Sequence, residues 1–129
     1  MALCWQQIGL VMAGGALGSL ARLVMSDALL RQLGRGFPWG TLCVNLLGAL
    51  LAGFLMTWLH ERGSDHPLLR AFLIVGLMGG LTTFSSMMLE CLVFARSDRG
   101  LMVPAYIGAS VVGGLLLVWL GAWLAEATR

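Results

Sequence analysis

Charged residues punctuate this chain rather than pattern it. None falls within residues 1–21, 36–59, 71–89 or 100–125, and inside those stretches leucine, valine, alanine, glycine and methionine dominate without a regular polar face. A helix on the surface of a soluble bundle would show a polar side on every turn. Stretches of about 20 residues that are apolar all round are instead what a bilayer-spanning helix requires. The pattern predicts spans near 5–26, 39–59, 68–94 and 101–124, joined by short connections at 27–38, 61–67 and 96–100. Residues 1–129 therefore read as a single all-α transmembrane domain of four helices.

The third span is not uniform. It contains Gly79-Gly80-Leu81-Thr82-Thr83-Phe84-Ser85-Ser86, in which paired glycines lower helix propensity and paired threonines add hydroxyls. Non-helical backbone at bilayer depth survives only where protein buries it or where it lines a polar cavity. A break in the third helix is expected there, and an ion is the natural reason for one.

Composition narrows the choice further. The chain is 59% hydrophobic and 11% charged, with a mean hydropathy of +0.89, which is membrane composition. The formal charge of +2 comes from dispersed arginines, with no lysine and no basic cluster, so nucleic acid is not a partner. Cys4, Cys43 and Cys91 lack metal or redox spacing and read as buried, reduced small hydrophobes. The first 21 residues lack a basic leader and a cleavage motif, so they read as a mature helix and not a signal peptide. No nucleophile–base pair or carboxylate dyad is present, which argues against an enzyme.

With four spans, Arg62, Arg70 and Arg129 fall on one side, and Arg31, Arg35, Arg96 and Arg99 on the other. The two sides differ by one arginine, too little to fix orientation by the positive-inside rule. Insertion in both directions, with oppositely oriented copies pairing, is one reading; a weak bias settled by another feature is the other. Four helices normally fill their own centre. The small-residue pairs Gly14–Gly18, Gly15–Ser19 and Gly76–Gly80 allow close helix approach within or between subunits, and an oligomer is expected.

Polar residues at membrane depth are the candidate chemistry. Arg22 lies near the end of the first span, where it can draw anions to a vestibule or snorkel to headgroups. Thr41 and Asn45 share a face of the second helix, which Gly48 continues. The Asn45 amide can donate to a partly dehydrated anion or bond a neighbouring span. On the third helix Thr83, Met87 and Glu90 follow helical spacing beside Phe84 and Ser85, and on the fourth Tyr106 and Ser110 form a matching stripe. An aromatic ring edge is positive and can meet an anion. Glu90 is out of place in an anion path unless paired or protonated. His60 and His66, with Glu61 and Asp65, read as solvated loop residues.

These residues together resemble the Fluc family of fluoride channels, also called CrcB. The resemblance spans nearly the whole chain. It rests on the glycine-rich first helix with Arg22, on Gly40-Thr41-Leu42-Cys43-Val44-Asn45, on Gly79-Gly80-Leu81-Thr82-Thr83-Phe84-Ser85 with Glu90, and on Tyr106 with Ser110. It implies an antiparallel, dual-topology homodimer in the cell inner membrane, a multi-pass protein that passively exports fluoride and lowers its cytoplasmic level. It also implies a structural sodium ion at the dimer interface, held by backbone carbonyls at the positions matching Gly79 and Thr82. Phe84 matches the first of two pore phenylalanines and Asn45 a pore asparagine, while Thr41, Ser85, Tyr106 and Ser110 match hydroxyl positions. Met87 occupies the second phenylalanine position and is expected to line the fluoride path there without a ring edge; Thr83 and Glu90 carry no assigned role.

Two other readings share the architecture. A small multidrug-type, proton-coupled exporter would need a carboxylate in the first helix, where this chain has Arg22. A non-transporting membrane assembly subunit would account for the packing glycines but not for the Thr-Thr-Phe-Ser stripe.

Overall fold

The computed structural model describes residues 4–61 and 66–128; Arg62, Asp65 and Arg129 lie outside the described residues. Its elements are helical throughout. Helix α1 (Trp5–Leu33) leads through a short connection to α2 (Trp39–Glu61). The third segment is composite. It opens with α3 (Pro67–Arg70), widens into π-helix over Ala71–Met78, tightens into α4 (Gly79–Leu81), and resumes as α5 (Phe84–Arg96). Helix α6 (Met102–Glu126) completes the chain. Among the described residues, Trp5–Leu33, Trp39–Glu61, Pro67–Arg96 and Met102–Glu126 are each long and apolar enough to cross a membrane.

Helix ends differ most from expectation at α1, which continues seven residues past Ser26 to Leu33. An ion pair one turn apart, Arg31 to Asp27 at 2.8 Å, sustains the added turns. Gly34 then stops the helix at φ 78°, a conformation that favours glycine, with its N–H on the Leu30 carbonyl. The connection is thus five residues, 34–38, and Pro38 starts the next helix by accepting from the Leu42 N–H at 3.1 Å.

Two glycine seams assemble the bundle. A Cβ on Gly14 would lie 2.9 Å from the Leu77 nitrogen, and one on Gly18 would lie 2.8 Å from the Leu81 nitrogen. Reciprocally, a Cβ on Gly76 or Gly80 would strike the backbone of Val11 or Gly15. The backbones of α1 and the third segment therefore touch where both lack side chains. The second seam joins α2 to α6, where Gly53 faces the Val118 backbone and Gly121 faces Leu50 and Phe54. Buried side chains are few. Leu42, Met87, Cys91, Phe94 and Tyr106 form one cluster, and Val44, Met78 and Leu81 a second. Large apolar residues such as Leu23, Val93, Leu116 and Trp119 point outward, as lipid-facing side chains do.

Candidate functional site

The site is built around two threonines. Thr82 (φ −87°, ψ 154°) and Thr83 (φ −151°, ψ 118°) are extended and stand between α4 and α5. Extended residues inside a span leave backbone groups without helical partners, and each must be satisfied locally. Asn45 on α2 meets Thr83 twice: its Oδ1 accepts from the Thr83 N–H at 2.7 Å, and its Nδ2 donates to the Thr83 carbonyl at 3.0 Å. Arg22 on α1 donates through Nε to the Gly80 carbonyl at 3.0 Å. The Thr82 N–H and hydroxyl both reach the Met78 carbonyl. Thr83 caps α5, its Oγ1 accepting from the Ser86 N–H at 3.2 Å.

This break takes helical donors from several carbonyls, those of Gly79 and Thr82 among them, while Arg22 re-partners that of Gly80. In an unbroken helix the Gly79 carbonyl would accept from the Thr83 N–H, which here turns to Asn45. The Thr82 carbonyl would accept from the Ser86 N–H, which here turns to the Thr83 hydroxyl. Side chains have drawn away the helical donors of both, and the space beside Gly79 is open.

One to two turns along α5, Glu90 is bracketed. The Thr41 hydroxyl donates to its Oε1 and the Tyr106 hydroxyl to its Oε2, both at 2.6 Å. Two bonds at the short end of the O–H···O range fix the carboxyl group in place. Two open cavities meet at this carboxylate. The larger, about 340 Å³, is lined by Ser19, Arg22, Leu23, Ser26, Thr41, Thr83, Ser86 and Glu90. The smaller, about 170 Å³, runs under the α1–α2 connection, and Ser26, Thr41 and Glu90 belong to both. The polar lining of the two thus reaches from that connection to Thr83, with Arg22 and Glu90 both on the larger cavity.

The remaining candidates are dispersed. Phe84 is 72% exposed on the outside of the subunit, and Ser85 is exposed beside it with its Oγ 3.4 Å from the Thr83 hydroxyl. Met87, three residues on, is buried with Leu42, Cys91, Phe94 and Tyr106. Within one subunit the fold covers Met87 and leaves Phe84 bare. The Ser110 hydroxyl oxygen is buried and without a hydrogen-bond partner among the described residues. Of the cysteines, Cys91 is buried and Cys43 half-buried, but Cys4 is exposed, correcting the expectation that all three are buried. Cys4 lies at the start of α1, where its N–H donates to the Gln7 side chain.

Sequence reasoning missed Ser19, Ser26 and Ser86 as lining residues. For the first two a signal exists: Ser19, Arg22 and Ser26 recur at helical spacing and share one face of α1. Ser86 adjoins the Thr-Thr-Phe-Ser run, and only its partner, Thr83, needed the fold.

Comparison with known proteins adds the following. The family model described as CrcB-like protein, Camphor Resistance (CrcB) matches residues 9–122. A protein of Xylella fastidiosa (strain 9a5c) named fluoride-specific ion channel FluC is 59% identical over 120 residues, covering 93% of this chain and 84% of the relative. One of the same name from Xanthomonas euvesicatoria pv. vesicatoria (strain 85-10) is 56% identical over 118 residues, 92% of this chain and 89% of the relative. A more distant namesake from Nitratidesulfovibrio vulgaris (strain DP4) is 44% identical over 115 residues, 89% of this chain and 93% of the relative.

Proposed function

The chain belongs to the CrcB-like family, and on that premise we propose that it is a passive, fluoride-selective channel of a bacterial inner membrane. It is a multi-pass ion channel and not an enzyme, and it lowers cytoplasmic fluoride by letting the anion leave down its electrochemical gradient. The observation that carries this reading is the pair of cavities that share Ser26, Thr41 and Glu90, walled by hydroxyls and Arg22, inside an otherwise apolar four-span bundle. Fluoride enters cells as neutral HF and dissociates at cytoplasmic pH. A negative-inside potential then favours its exit by about 2.3 kcal/mol per charge per 100 mV. Hydroxyls and a guanidinium replace the water that a small, strongly hydrated anion must shed.

The working unit is an antiparallel homodimer. Supporting this are the near-even arginine distribution and the exposed apolar residues Val75 and Phe84 on the third segment. A second copy facing that surface would complete a wall around Phe84 and Ser85. The extended Thr82–Thr83 pair serves as the break in the third span, and a sodium ion suits it. The Gly79 and Thr82 carbonyls have lost their helical donors, and carbonyl oxygens are the hard ligands that an alkali cation takes. Held there, sodium would supply a fixed positive charge. The protein's own part is Asn45, which holds Thr83 extended so that those carbonyls stay free of the helix. Asn45 contributes to the path chiefly through that grip, while the unpartnered Ser110 hydroxyl remains able to meet an ion or water.

The test is potential-driven efflux from liposomes containing the purified protein, followed with a fluoride electrode and a chloride control. Fast fluoride loss with chloride retained is expected. Equal loss of the two halides would overturn the selective reading, and silence toward both from folded protein would favour a non-transporting subunit.

A further inference from the structure

An aromatic cluster caps the end of the bundle where the α1–α2 and α5–α6 connections meet, and the ion path as described leaves it without a role. Phe37, from the first connection, meets the Tyr106 ring edge-to-face, with centroids 5.3 Å apart at 78°. Phe94, near the end of α5, meets the same ring at 6.2 Å and 89°. Phe37 and Phe94 stack on each other at 6.3 Å, and Trp39 leans on Phe37 at 4.7 Å. From the second connection the Arg99 guanidinium sits 5.0 Å over Phe94. The Tyr106 ring at the centre is wholly buried, and its hydroxyl is the group that holds Oε2 of Glu90.

Phe37 is well placed to act through that ring. Its carbonyl accepts from the Trp39 N–H at 2.9 Å, and Pro38 restricts its backbone, so the ring is presented from a tight, pre-set turn. It also lines the smaller cavity together with Thr41 and Glu90. A phenol wedged between two ring edges keeps one orientation, and that orientation decides whether its hydroxyl reaches the carboxylate. Without the phenol, Glu90 keeps only Thr41 and gains freedom to swing into cavities an anion must cross.

We propose that Phe37 is a positioning residue for the ion path: its ring locks Tyr106 so that the phenol pins the Glu90 carboxylate at the junction of the two cavities. The inference rests on the channel reading for its effect on flux, but the pinning itself is a statement about Tyr106 and can be measured without flux. Tyr106 is the sole tyrosine of the chain, so the tyrosine doublet in the ultraviolet resonance Raman spectrum reports its hydroxyl alone. Wild-type protein should give the pattern of a strong donor. Phe37→Leu, which keeps apolar bulk but removes the ring edge, should shift it toward a weaker donor.

Flux supplies the second measurement. Fluoride efflux should fall roughly threefold to tenfold in Phe37→Leu, the scale of one lost edge-to-face pair. In a Tyr106→Phe background, where the hydroxyl is already absent, the same substitution should change flux little. Equal losses in both backgrounds would overturn the proposal and leave Phe37 as packing. An unchanged Raman doublet in Phe37→Leu would overturn it even if Tyr106→Phe proved too inactive for the comparison. A wild-type protein that passes no fluoride, with the Raman shift still seen in Phe37→Leu, would sink the channel reading while leaving the pinning intact.

Discussion

The third segment is held in two different ways on either side of Thr82–Thr83. Before the pair, Gly76 and Gly80 lie against Gly14 and Gly18 of α1, backbone on backbone, with no room for a methyl group. After it, α5 is tied by side-chain bonds, Thr41 and Tyr106 to Glu90, and leaves polar cavities beside α1. Within a bilayer, burying apolar surface between helices gains little, because lipid is equally apolar. Association then comes either from very close approach or from hydrogen bonds. This chain uses the first before the threonine pair and the second after it, where the proposed ion path lies.

The sharpest way to break that comparison is to fill the seam. Gly18→Leu should cost at least about 3 kcal/mol, the upper end of overpacking, because the new side chain meets the Leu77 and Leu81 backbone, which cannot yield. Loss of monodisperse protein in detergent, or a collapsed melting temperature, is the expected result; ordinary stability would mean the seam is looser than described. Next in size is Asn45→Ala, which strips partners from both the N–H and the carbonyl of Thr83. We expect a loss of roughly 1–3 kcal/mol in thermal unfolding, the usual cost of orphaning buried polar groups, and a larger proportional loss of fluoride efflux. Flux falling only in step with folded protein would show that Asn45 serves stability alone. The smallest effect has the opposite sign. Gly9 lies in α1 with nothing within 4 Å of where a Cβ would stand, so Gly9→Ala should stabilise by about 0.5–1 kcal/mol through helix propensity. A destabilised Gly9→Ala would reveal a contact that a single subunit lacks.

The four spans are legible in the sequence because arginine and acidic residues bound each apolar stretch and lipid tolerates no other arrangement. Their ends are less so. The extra turns of α1 depend on the Asp27–Arg31 pair and on Gly34 at positive φ, local choices that hydropathy does not register. Gly79-Gly80 and Thr82-Thr83 stand out as residues foreign to a plain span, and Thr41, Asn45 and Glu90 as polar groups at depth. Which of them meet is a tertiary fact. Asn45 offers the same amide to an anion or to a backbone, and only the placement of α2 beside Thr83 decides. Glu90 is anomalous until the fold brings a threonine and a tyrosine from two other helices onto it. Gly53 and Gly121 carry only the weaker spacings Ala49–Gly53 and Gly121–Ala125, and each meets the facing helix's backbone, not another glycine.

The π-helical stretch Ala71–Met78 has a consequence for anyone mapping the third span. Its wider turns slow the rotation of side chains about the axis, so residues past Met78 come round on faces that ordinary helical spacing does not give. A helical wheel drawn straight from Leu68 to Phe94 would rotate Phe84, Met87 and Glu90 together onto wrong bearings. Two wheels are needed, one on each side of the wide turns. Sequence comparisons that count fixed intervals across this segment will agree on letters while disagreeing on direction.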